Sequence, residues 1–94
     1  MVLEIATFDI TPGAEDDFSS AVREALELVA ETPGHHWARM TRGIETPTRF
    51  VLLVEWESVE AHQAFRDSDR FPQWRAAISP HFASPPFVEH YVDV

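Results

Sequence analysis

Between Arg49 and Trp56 the chain reads RFVLLVEW, a β-prone run that is apolar on both of its faces. Phe50, Leu52, Val54 and Trp56 point one way, and Val51 and Leu53 point the other. A strand covered on one side only alternates apolar and polar residues, so this one asks for cover on both. A chain of 94 residues carries enough helix to cover one face of a sheet. The second cover is expected from another copy of the same chain. One octapeptide thus predicts a core strand and a homodimer.

Composition narrows the chemistry. An apolar content of 45%, with three Trp and seven Phe, is enough for a single domain over residues 1–94 with its own core. No apolar run approaches the roughly 20 residues of a membrane span, and no basic leader precedes a small-residue cleavage site. The expectation is a soluble cytoplasmic protein without membrane contact. Cysteine is absent, which removes disulfides, a thiol nucleophile, iron–sulfur clusters and Cys-type zinc sites. Lysine is absent too, which excludes a Schiff base, and the glycines at 13, 34 and 43 build no phosphate-cradling loop. A formal charge of −9 argues against nucleic acid as a partner. Chemistry is left to His, Arg, aromatic, hydroxyl and carboxylate groups.

Read in order, residues 2–9 form a strand with Leu3 and Ile5 on one face and Val2, Ala6 and Phe8 on the other. Thr11 is expected to cap the first helix, with Pro12 at its first position and Glu15, Asp16 and Asp17 suiting its dipole. Phe18, Val22, Ala25, Leu26 and Val29 make its apolar stripe, and Thr32-Pro33-Gly34 ends it. His35 to Gly43 reads as a second strand, Glu45 to Thr48 as a hairpin turn, and 49–57 as the third strand. Ser58 caps a helix on which Val59, His62 and Phe65 share a face, and Asp67-Ser68-Asp69 interrupts it. A further helical piece aligns Phe71, Trp74, Arg75 and Ile78, tolerates Pro72 in its first turn, and stops at Ser79-Pro80. FVEHYVDV, 87–94, is the last strand. The order β-α-β-β-α-β gives an α+β, ferredoxin-like antiparallel sheet with its helices on one face. Two such sheets facing each other make a dimeric α/β barrel.

His62 is the leading candidate for chemistry, because it shares an inward face with Val59 and Phe65. The competing reading is a buried neutral imidazole with a purely structural role. Trp56 ends the third strand close to the start of that helix, where it is either a pocket wall or core filler. Arg75 shares a face with Phe71, Trp74 and Ile78 and, if buried, needs a partner. That partner is a carboxylate such as Glu55 or Glu89, or an anionic ligand oxygen; otherwise its stem snorkels to water. His35 and His36 lie on opposite faces of a regular strand, and no helical His spacing suits a metal, so no metal is expected.

The ITPGAEDDF entry to the first helix, the TPGHHWARM turn and strand, and LLVEWESVEAHQAF followed by SDRFPQWR together resemble the antibiotic biosynthesis monooxygenase domain family over nearly the whole chain. That resemblance implies a homodimeric α/β barrel with a pocket between each subunit's sheet and helices. It also implies oxidation of a small hydroxylated aromatic, anthrone- or quinol-like, by molecular oxygen as co-substrate with no bound cofactor. His62 would then handle the phenolic proton. Trp56, Phe65 and Trp74 would line the pocket, Trp37 and Tyr91 would contribute from neighbouring strands, and Arg75 would anchor the ligand. Heme-degrading relatives use an Asn, a Trp and a His where this chain has Ala6, Phe65 and Arg75, so that activity is not expected. The same barrel also serves polyketide cyclases, isomerases and non-catalytic small-ligand binders, and fold alone does not choose among them.

Overall fold

The double-faced strand sits in the interior of the sheet. In the computed structural model, which describes residues 1–94, the elements are β1 (Val2–Asp9), α1 (Glu15–Ala30), β2 (His35–Arg42), β3 (Arg49–Trp56), α2 (Val59–Arg66), α3 (Arg70–Ile78), a 3₁₀ turn at Ser79–His81, and β4 (Phe87–Tyr91). The sheet is antiparallel in the order β2-β3-β1-β4, which makes the fold α+β and ferredoxin-like. None of the helices is long and apolar enough to cross a membrane.

Strand alternation decides the two faces. Phe50, Leu52, Val54 and Trp56 are buried against the helices, together with Glu4, Ala6 and Phe8 of β1. From α1 the stripe Phe18, Val22, Ala25 and Val29 completes this layer. Phe18 packs edge-on against Phe50 at 4.9 Å between ring centroids and tilts against Phe8 at 6.0 Å. The opposite face is open. Register pairs Leu3 with Glu55, Ile5 with Leu53 and Thr7 with Val51, and on the outer strands Arg39 meets Leu53 and Tyr91 meets Leu3. No element of the chain covers these residues, and on the same face Trp37, opposite Glu55, Phe87, opposite Thr7, and Tyr91 stand exposed.

Local chemistry sets most boundaries. Ser58 accepts a hydrogen bond from the Ala61 amide at 3.1 Å and starts α2 as expected. Thr11, however, does not cap α1. Its carbonyl accepts from the Ala14 amide at 2.9 Å, closing a tight turn with Pro12 and Gly13 at its centre. Gly13 takes φ +94°, which no helix allows, so α1 begins only at Glu15. The last strand also stops short of Val94, at Tyr91. Its sole partner is β1, and Tyr91 already sits opposite Leu3, so the partner strand runs out.

Candidate functional site

β1, β3, α2, α3 and the segment leading into β4 enclose a cavity of about 770 Å³ between the sheet and the second and third helices. Its apolar wall is aromatic. The Trp56 and Phe65 ring centroids lie 6.0 Å apart, and Phe65 meets Trp74 edge-on at 6.4 Å. The strand-end tryptophan and the residues of α2 and α3 therefore converge on one opening, as their spacing predicts.

The other wall is polar and buried. His62 rises from the first turn of α2 and stacks on the Trp56 indole at 5.2 Å, with 17° between the planes. Its Nδ1 is 2.7 Å from Nε2 of His90, and its Nε2 is 3.4 Å from Oε1 of Glu4. That same carboxylate oxygen accepts from the Trp56 indole N–H at 2.8 Å. Glu4 and His62 are each about 95% removed from solvent, at 5% relative exposure. His90 is half-buried and borders the cavity, and its Nδ1 makes no protein hydrogen bond.

Burial governs the charges here. It is the main cause that brings the His62 pKa down to about 4, helped by the nearby His90 and the Arg66 guanidinium. It also raises the Glu4 carboxyl, against the opposing effects of the Trp56 hydrogen bond and Arg66. Each group is pushed towards its uncharged form. The 3.4 Å contact between them is therefore not a salt bridge of two fixed charges.

Glu4 and His90 were not singled out from sequence as partners of His62. Alternation carries the signal for Glu4, since it lies between Val2 and Ala6 on the inward face of β1. For His90 the signal is the register, which sets it directly across from Glu4. Trp37 and Tyr91 lie elsewhere. Their strand parity puts them on the open face of the sheet, where the Arg39 guanidinium lies over Trp37 at 5.7 Å and the Tyr91 hydroxyl donates to Glu89 at 2.6 Å. Arg75 borders the cavity with its side chain exposed and pairs with neither Glu55 nor Glu89. Both carboxylates belong to the open face, where Glu55 lies 3.8 Å from His36. His35 and His36 diverge across a bulge in β2, with His35 turned to the Trp56 ring.

Relatives share this architecture along its length. Residues 1–78 match the family model described as antibiotic biosynthesis monooxygenase. The uncharacterized Bacillus subtilis protein YczJ is 34% identical over 95 residues, covering 100% of both chains. A crystal structure from Bordetella bronchiseptica, named for the same family, superposes with a TM-score of 0.95 at 39% identity, covering 99% of this chain and 96% of the other. SnoaB from Streptomyces nogalater, a cofactor-independent oxygenase, shares the fold with a TM-score of 0.85 at 16% identity, covering 98% and 91%. With its profile matched over most of its length, this chain belongs to the antibiotic biosynthesis monooxygenase family.

Proposed function

We propose that this protein is a single-domain, homodimeric, cofactor-independent monooxygenase acting on a small hydroxylated aromatic of the anthrone or quinol type. The observation that carries the reading is the Glu4–His62–His90 chain, its first two members buried, along one wall of an aromatic cavity. An electron-rich phenol or anthrone, once deprotonated, transfers an electron to molecular oxygen without help from a cofactor. Coupling of the resulting radical pair forms a C–O bond and a peroxide. For an anthrone, loss of the second C–H proton and heterolysis of the O–O bond leave a ketone on the substrate and release the other oxygen as water. The protein has to hold the ring in apolar surroundings and take the first proton.

Both ring nitrogens of His62 have partners, so it acts as the middle of a relay. With a proton on Nε2 of each imidazole, His90 accepts the substrate proton at its free Nδ1. It then passes its Nε2 proton to His62, and His62 passes its own towards Glu4. The Trp56 N–H steadies the Glu4 carboxylate while it waits. In this reading His62 handles the proton in transit, and His90 is the group that meets substrate.

Oxygen uptake with a panel of anthrones and quinols tests the proposal. Uptake with one O₂ consumed per ketone formed is the expected result. Product formed equally well without oxygen would favour a cyclase or isomerase, and binding without product would favour a ligand-binding protein.

A further inference from the structure

The mouth of the cavity carries charge that the proton chain does not use. Arg66 ends α2 and Arg75 lies in the last turn of α3; both border the cavity with exposed side chains. Neither forms an ion pair; Arg42, Arg49 and Arg70 do, and the other unpaired arginines, Arg23 and Arg39, do not border the cavity. Among all the carboxylates of the chain only Glu4 borders the cavity, and it is buried against Trp56 and His62 rather than exposed at the mouth. The opening is consequently a cationic spot on a protein of formal charge −9. Ser79 borders the same space, and its hydroxyl has no hydrogen-bond partner from the protein.

An aromatic ligand that fills the cavity would cover part of both guanidinium groups. A neutral ligand would offer them only uncharged acceptors in place of that water. A carboxylate would replace that water with charge-assisted bonds, and the planar guanidinium matches it two atoms to two. We infer that the ligand is an aromatic carboxylate whose acid group is held at the mouth by Arg66 and Arg75 while its ring lies along Trp56, Phe65 and Trp74. This rests on the aromatic-site reading above and narrows its substrate class to anionic ones.

The test is binding, kept apart from turnover. A hydroxyanthraquinone carboxylic acid and its methyl ester, both already oxidised, are titrated against the protein while quenching of tryptophan fluorescence is followed. The acid is expected to bind about ten- to a hundredfold more tightly than the ester. That preference should shrink as salt rises and should fall below about threefold in an Arg66→Gln/Arg75→Gln double variant. Equal affinity of acid and ester, or a preference that survives the double variant, overturns the inference and leaves the aromatic site standing. Binding of neither probe overturns both. A clear acid preference in a protein that consumes no oxygen with any aromatic acid upholds the anionic subsite and removes the oxygenase reading alone.

Discussion

Nδ1 of His62 lies 2.7 Å from Nε2 of His90, and the two imidazoles are 28 positions apart in sequence. Their contact ties the first turn of α2 to an edge strand, and in the proposed mechanism the two rings act as one proton-handling unit. His62→Gln and His90→Gln are each expected to lower turnover by about 10²–10⁴-fold. The double variant should lose little more than the worse single one, because groups acting in series are not additive. Oxygen consumption measures this, with circular dichroism showing that the variants remain folded. Full turnover in either single variant would remove that histidine from the path.

The same buried groups make stability depend on pH in opposite senses. His62 titrates at about 4 when folded and near 6.5 when unfolded. Below 6.5 the unfolded chain takes up a proton that the folded one refuses, so this contribution is complete above 6.5 and is lost as pH falls towards 4. The loss amounts to at most about 3 kcal/mol. Glu4 has its folded pKa raised, so its contribution is present below the unfolded value of 4.5 and is lost as pH rises through the folded one. Urea unfolding between pH 4 and 7 should show a smaller acid loss in His62→Gln than in wild type. An identical pH profile would contradict the burial assigned to this ring.

Gly34 and Gly13 separate backbone strain from steric contact. Both have positive φ, +87° and +94°. A Cβ on Gly13 meets nothing within 4 Å, whereas one on Gly34 would stand 2.6 Å from the Ala61 Cβ, next to His62 on α2. Gly13→Ala should cost about 1–2 kcal/mol, the ordinary price of a left-handed residue. Gly34→Ala should cost more and should also displace His62, lowering turnover. Denaturant midpoints and turnover rates of the two variants decide it, and equal effects would contradict the close approach of α2.

Val51 and Leu53 crown an open sheet face that Leu3, Ile5 and Phe87 extend. An apolar face that no element of the chain covers is expected to serve as an interface. Light scattering at micromolar concentration is expected to give twice the chain mass for the wild type. It should give the single-chain mass for Leu53→Glu, since two buried like charges would face each other. A wild-type mass of one chain would refute the pairing.

The elements themselves were legible in the sequence because local chemistry fixes them. Alternation wrote both faces of β3, Ser58 wrote the start of α2, and helical spacing put His62 and Phe65 on one inward face. The turn at Thr11 was misread because a threonine before proline serves a cap and a tight turn equally well. Only the φ of Gly13, imposed where the chain leaves β1, decides between them. The polar half of the site was hidden for a different reason. A glutamate in a strand looks solvated until the register shows what lies across from it, and Glu4 faces His90 after a separation of 86 residues. Trp37 and Tyr91 fall on the open face rather than at the cavity for a similar reason, since which side of a sheet a residue occupies depends on partners far away in sequence. Periodicity is a local property and survives in the sequence. Proximity between distant strands exists only once the sheet has closed.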